Sequence, residues 1–213
     1  MTFARESWPF VLPFVAVALA LYLAGHPRWA LAALLVAFLV LLFFRIPSRR
    51  YEGDAGAVLA AADGLVTVVD EVEDPAVGPG RFHRVVTFLS VFDVHVQRAP
   101  AAGKVLASQL TRGRKVAAFR EDAGTVNEQH LTVLELASGE RIGMRQIAGL
   151  VARRVVCYLE PGDTVARGEL FGLIKFGSRV DLLVPVSYRV VVKKGDRLKT
   201  GLSPVAFPAE DEG

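Results

Sequence analysis

The chain has 213 residues and a single cysteine, Cys157, which excludes an internal disulfide and any multi-cysteine metal site. Its four histidines, His26, His83, His95 and His130, show no i,i+4 pairing, so no zinc site and no metal requirement is expected. An excess of one charge sign is also lacking. The net charge is +3 and no basic run is interleaved with stacking aromatics, which excludes nucleic acid as a partner. Cys157 sits in the apolar run Val155-Val156-Cys157-Tyr158-Leu159 and reads as a buried, inert thiol.

Apolar sequence, by contrast, is abundant and unevenly spread. Residues 1–44 are almost wholly apolar, and the remainder is mixed and long enough for one domain with a real core. Pro9 to Ala24 and Trp29 to Phe44 are uncharged stretches of 16 residues each, separated by Gly25-His26-Pro27-Arg28. As helix, such a stretch covers about 24 Å against a hydrocarbon core of roughly 30 Å. Two short spans are expected, with a hairpin dipping into one leaflet as the alternative. Pro13 is expected to kink or delay the first helix. A second apolar stretch and the lack of a small-residue cleavage site argue against a removed signal peptide. Arg5 precedes the first stretch and Arg45, Arg49 and Arg50 follow the second, so both ends are expected in the cytoplasm, with Arg45 to Arg50 against anionic headgroups.

From Gly53 onward the pattern is β. Leu65 to Val69, Arg84 to Leu89, Val94 to Val96, Leu131 to Leu136 and Leu182 to Val186 are short β-branched runs broken by Gly, Pro or Asp. Residues 141–156 read as a strand pair or a bent strand. A weak repeat relates Pro161-Gly162-Asp163-Thr164-Val165-Ala166-Arg167-Gly168 to Lys194-Gly195-Asp196-Arg197-Leu198-Lys199-Thr200-Gly201. A looser one relates Ala62-Asp63-Gly64-Leu65-Val66 to Ala102-Gly103-Lys104-Val105-Leu106. This grammar predicts a mainly β, barrel-sandwich-like domain of the biotinyl/lipoyl type behind an N-terminal apolar helical hairpin, although ordinary hairpin turns in any β fold give the same pattern.

One step stands out: Gly177-Ser178, inside Phe176-Gly177-Ser178-Arg179-Val180-Asp181. Gly-Ser alone reads as a turn, but here β-branched and aromatic residues flank it. The chain also carries Ala62-Asp63-Gly64, the block Phe88-Leu89-Ser90 through Asp93 and His95 to Ala99-Pro100, the run Gln146 to Arg154, and Phe44-Arg45-Ile46-Pro47. Together these segments, covering most of residues 43–206, resemble the phosphatidylserine decarboxylase family in its short, membrane-associated form.

The resemblance implies that the Gly177–Ser178 bond cuts itself, giving chains 1–177 and 178–213 that stay associated, and that Ser178 becomes a covalent pyruvoyl group, the only cofactor. That group condenses with the amine of phosphatidylserine and draws off the electrons released with CO2. It also implies His95 as the base, and Asp63 as the group that orients it and stabilises its charge, a Ser-His-Asp arrangement in the order Asp63, His95, Ser178. Read without it, His95 is a half-buried strand residue sharing a face with Asp93 and Gln97, and Asp63-Gly64 is a hairpin turn. Long members have a second histidine where this chain has Arg98, so His95 is expected to serve cleavage, decarboxylation or both. Asn127-Glu128-Gln129 resembles the family's Asn-Glu-Arg segment, with substrate contact and a solvated turn both open. Arg153, Arg154 and Lys175 are candidates for a lipid phosphate or a solvated face.

The expected organisation is an anchoring hairpin and basic segment over 1–50 and a decarboxylase domain over 51–213, on the cytoplasmic side of the inner membrane, with a homo-oligomer allowed. Two alternatives stand beside it. One is a decarboxylase of the ether-lipid analogue archaetidylserine. The other is a membrane-tethered, non-enzymatic adaptor or carrier, which would need a modifiable lysine at a hairpin tip, and Lys175 lacks that setting.

Overall fold

Two apolar helices open the chain, and nearly all of its remaining regular structure is β-strand. The structure is a computed structural model that describes residues 1–114, 116, 123–149, 154–175 and 178–209. It divides into two units, Met1–Ser48 and Arg49–Gly213.

In the first unit, β1 (Thr2–Phe3) pairs antiparallel with β2 (Arg45–Ile46), so the two ends of the apolar segment close on each other. Between them lie a 3-10 turn (Arg5–Ser7), α1 (Trp8–Leu23) and α2 (Pro27–Phe43). Pro9 and Pro27 sit in the first turns of their helices, where a missing N–H breaks no helical bond. Pro13 lies inside α1 rather than delaying its start. Continuous helix over Arg5–Leu23 is 19 residues, about 28 Å, and is long and apolar enough to cross a membrane, whereas α2 is the shorter apolar helix.

The second unit contains β3 (Val58–Leu59), β4 (Gly64–Glu73), β5 (Arg81–Leu89), β6 (Val96–Arg98), β7 (Gly103–Thr111), the short α3 (Ala123–Val126), β8 (Gln129–Glu135) and β9 (Arg141–Ala148). Further along are β10 (Val155–Cys157), β11 (Thr164–Val165), β12 (Leu170–Ile174), β13 (Ser178–Pro185), β14 (Tyr188–Val190), β15 (Arg197–Leu198) and β16 (Pro204–Pro208). A curled eight-stranded sheet has the order β11-β7-β8-β9-β13-β5-β4-β15. Two three-stranded sheets, β10-β12-β6 and β14-β16-β3, complete the unit. The main core joins one face of the large sheet (Val85, Leu89, Met144, Val180, Leu182) to residues of the small sheets (Val58, Phe171, Ile174, Val205). A smaller cluster of Val77, Phe82, Leu131, Val133 and Leu183 lies on the opposite face. The domain is mainly β and consistent with a barrel-sandwich.

The weak sequence repeat is a structural repeat. Gly162, Gly168, Gly195 and Gly201 all have positive φ, the conformation that favours glycine. Leu198 pairs with Gly64 and Val165 pairs with Gly103. Asp196 accepts from the Val66 amide as Asp163 does from the Val105 amide, through their carbonyls. Even the β-bulges correspond, between Val66 and Val68 in β4 and between Val105 and Ala107 in β7. Residues 141–156 do form two strands, but β9 and β10 belong to different sheets.

Candidate active site

Ser178 begins β13, the strand between β9 and β5, and lies opposite Ala148 on one side and Leu89 on the other. Strand alternation turns Ser178 toward the same face as Val180, Leu182 and Val184, all core residues. Its side chain is fully buried, and its Oγ has no hydrogen-bond partner among the described residues. A buried hydroxyl left unsatisfied is costly and calls for an explanation, and a catalytic role is one; the Ser7 hydroxyl shares the condition. Phe176 and Gly177, the other half of the expected cleavage site, lie outside the described residues.

His95 is 2% exposed. Strand β6 starts one residue later, at Val96, so His95 stands at the strand's entrance rather than within it. Its Nδ1 is 2.9 Å from the carbonyl oxygen of Asp93. A carbonyl only accepts, so Nδ1 carries the hydrogen; in the neutral ring Nε2 then keeps its lone pair. The His95 carbonyl accepts from the Ile174 amide (3.1 Å), four residues before Ser178, and from Gln97 Nε2 (2.8 Å). Gln97 Oε1 in turn accepts from Gln146 Nε2 at 2.9 Å, and Gln146 pairs with Val180 on β13. Two routes therefore tie the backbone of His95 to the strand that carries Ser178.

Asp63 precedes Gly64, whose φ is +148° and whose position leaves no room for a Cβ, which would lie 2.1 Å from the Phe88 carbonyl oxygen. The glycine lets β4 start hard against β5 and fixes where Asp63 falls. The Asp63 carboxylate is gripped by Arg49: Nη1 donates to Oδ1, and Nη2 to Oδ2 at 2.9 Å. The Thr200 amide donates to Oδ1 at 2.7 Å. Thr200 Oγ1 accepts from the amide of Arg98, the last residue of β6 (3.1 Å), while Arg98 Nη1 donates to the Gly168 carbonyl (2.7 Å). Burial lowers the pKa of Arg98, with Arg49 adding to the effect and Asp63 opposing it.

Arg49 is a correction to the expectation from sequence, because it turns inward to Asp63 and not outward to headgroups. Its role carries no local signal, being one of several arginines in a basic run. Gln97 and Gln146 also escape the reading from sequence, although a glutamine in an apolar alternating run is a detectable anomaly. Asn127 is buried rather than a solvated turn; its Nδ2 donates to the carbonyls of Val116 (2.8 Å) and Ala148 (2.7 Å). Arg154 is exposed, and Arg153 lies outside the described residues. Cys157 is half-buried rather than buried, with its Sγ 3.5 Å from Thr132 Oγ1. No cluster of three metal-ligating side chains occurs among the described residues.

The mainly β domain thus holds a core-facing serine at the head of a central strand and a buried histidine hydrogen-bonded, through Gln97 and Gln146, to the sheet that contains that strand. The chain belongs to the phosphatidylserine decarboxylase family, whose model matches residues 36–206. It is 44% identical over 200 residues to a phosphatidylserine decarboxylase proenzyme of Symbiobacterium thermophilum, covering 93% of this chain and 92% of the relative. It is 41% identical over 195 residues to the proenzyme of the same name from Nitrosomonas europaea (92% and 90% covered). A Geobacter proenzyme is 41% identical over 204 residues, with 93% of each chain covered.

Proposed function

We propose that this chain cuts its own backbone before Ser178 and uses the modified Ser178 to decarboxylate phosphatidylserine. The protein is a phosphatidylserine decarboxylase of phospholipid biosynthesis, releasing CO2 and leaving phosphatidylethanolamine. The observation that supports the assignment to Ser178 is its buried hydroxyl, without a hydrogen-bond partner among the described residues. No bond to a described residue has to break before that oxygen attacks.

In the processing step, Ser178 Oγ bonds to the carbonyl carbon of Gly177 as the amide C–N bond breaks, leaving an ester and a free amino group on residue 178. Removal of the residue-178 α-hydrogen then expels the Gly177 carboxylate. Water displaces the nitrogen as ammonia, and a ketone remains at the new terminus. That pyruvoyl group, once present, supplies the electron sink for decarboxylation. His95 takes the hydroxyl proton at Nε2 and, in turnover, returns a proton to the substrate carbon that CO2 has left. Asp63 bears on His95 through Thr200, whose hydroxyl holds the Arg98 amide at the end of β6, while its carboxylate charge is met by Arg49; this makes it a positioning residue and not a direct partner of the imidazole.

Chains 1–177 and 178–213 stay together because β13 is hydrogen-bonded to both β5 and β9, β15 to β4, and β16 to β3. Residues 1–50 anchor the domain of residues 51–213 on the cytoplasmic side of the inner membrane. Intact-mass spectrometry of the purified protein tests the proposal. It should give a chain ending at Gly177 and a chain 178–213 with a blocked N-terminus, and Ser178→Ala should remain one chain. A fully cut Ser178→Ala protein would overturn it.

A further inference from the structure

Immediately after Leu89, the cross-strand neighbour of Ser178, the chain makes a tight turn over Ser90 to Asp93. The turn is closed on its polar side. Asp93 Oδ2 accepts from the Ser90 amide (2.8 Å) and hydroxyl (2.7 Å), and the Asp93 amide donates to the Ser90 carbonyl (3.0 Å). This leaves two apolar side chains at the tip, Val91 at 54% and Phe92 at 85% exposed. The turn is also braced against the site, because the Asp93 carbonyl holds His95 Nδ1. Exposed apolar residues are individually common, but here two adjacent ones cap a hydrogen-bonded turn that follows directly on the neighbour of Ser178.

The surroundings are basic. Arg197 Nη1 lies 3.7 Å from Asp93 Oδ1, with most of its side chain exposed. Thr111, Gln129, Ile147 and Arg179 are aligned in register across β7, β8, β9 and β13, which places the end of β7 on the same edge of the sheet as Ser178. The end of β7 is three strands, roughly 14 Å, from Ser178 and four strands, roughly 19 Å, from the end of β5 that leads into the turn. Leu110, Arg112 and Arg114, next to that end, are exposed. The edge that carries Ser178 is thus rimmed by apolar tips and guanidinium groups.

We propose that the Val91-Phe92 tip inserts into the headgroup boundary of an anionic bilayer and holds the mouth of the site against the lipid surface. A second protein is the less suitable occupant, since the reacting headgroup must pass from a bilayer to a fully buried residue. Phe92 and Val91 enter the acyl boundary while Arg197, Arg112 and Arg114 face phosphate and carboxylate groups. The tip is a docking element beyond the apolar helices, and the inference rests on the reading of Ser178 as the reacting residue.

The test uses the full chain with Cys157→Ser and Phe92→Cys, labelled at the one remaining thiol with an environment-sensitive fluorophore, and vesicles of phosphatidylserine and phosphatidylcholine. The emission should shift to the blue on vesicle binding and be quenched by lipids carrying a spin label in the acyl chain. An aqueous spectrum on vesicle-bound protein would overturn the proposal. In parallel, Val91→Ser with Phe92→Ser should leave self-cleavage and turnover of dispersed short-chain phosphatidylserine unchanged and lower turnover on vesicles at least fivefold. Equal loss on both substrates would also overturn it, by making the turn a merely structural element. The label reports depth whether or not the chain is cut, so failure of the Ser178 reading shows separately, in the chain masses.

Discussion

Arg49 and Asp63 form a two-pronged, largely buried ion pair: each carboxylate oxygen of Asp63 receives one guanidinium nitrogen of Arg49, and each side chain is only 10% exposed. Arg49 Nη1 also donates to the Thr200 carbonyl, whose own amide donates to Asp63. Three segments distant in sequence therefore meet at one carboxylate. Bidentate geometry and low exposure make this pair far stronger than a surface bridge.

Removing one partner strands the other as a buried charge. Arg49→Met is expected to destabilise the domain by about 3 kcal/mol, near the lower bound for broken buried pairs. Asp63→Asn should be costly too, while the double variant should lose less than the sum. Denaturant unfolding of the Ser178→Ala background, which keeps all species as one chain, measures this cycle. Additive losses would show that the two residues are energetically independent.

The same pair sets a boundary for truncation. Deleting residues 1–44 removes both apolar helices and keeps Arg49, so the domain should leave the membrane and still cut itself. Deleting residues 1–50 removes Arg49 and should slow cutting at least tenfold. Time courses of chain cleavage on denaturing gels compare the two. Equal rates would mean that the Arg49 contact does not influence processing.

Much of this architecture is legible in the sequence because glycine and aspartate turns are local. The two Gly-Asp turns are visible as a repeat since positive φ selects glycine at matching places, and each turn pairs with its own Ala-x-Gly segment. The repeat also isolates Asp63. Its counterpart, by the matched positions of Gly64 and Gly103, is Ala102, so the turn itself needs no carboxylate. Contacts made at long range are not legible. Nothing near Arg49 distinguishes it from Arg45 or Arg50, and only the closing of the fold brings it to Asp63 and Thr200. The start of β6 is hidden in a similar way. The apolar alternation suggests a strand from Val94, yet β6 begins at Val96, after a turn whose Asp93 carbonyl holds the His95 ring.

His130 gives a pH dependence. It is buried in β8, 3.4 Å from Ser108 Oγ and 3.5 Å from Thr132 Oγ1, and burial pushes its pKa below 6.5. Below about pH 6.5 the unfolded chain therefore binds a proton that the native chain resists, so stability falls as pH drops through that region. Melting temperature should be lower at about pH 5.5 than at about pH 7.5, and His130→Gln should flatten the difference. An unchanged slope in His130→Gln would assign the acid sensitivity to other groups.

His95 decides between one role and two. Its Nδ1 hydrogen is committed to the Asp93 carbonyl, so proton traffic must use Nε2. If that nitrogen activates Ser178, His95→Ala should slow self-cleavage by about 10² to 10⁴, the usual contribution of a positioned base. Cleavage need not stop, because a well-placed backbone can retain some reactivity without its base. If His95 only returns the proton after CO2 leaves, His95→Ala should cut at the normal rate, show the blocked terminus at residue 178 and fail to turn over. A cleavage time course, with a turnover assay on the cut form, separates these outcomes. His95→Asn is the control for packing, since its Nδ2 takes the place of Nδ1 and can keep the bond to the Asp93 carbonyl, but an amide cannot act as a base near neutral pH. Normal rates in both assays would remove His95 from the site and leave it as a buried residue at the entrance of β6.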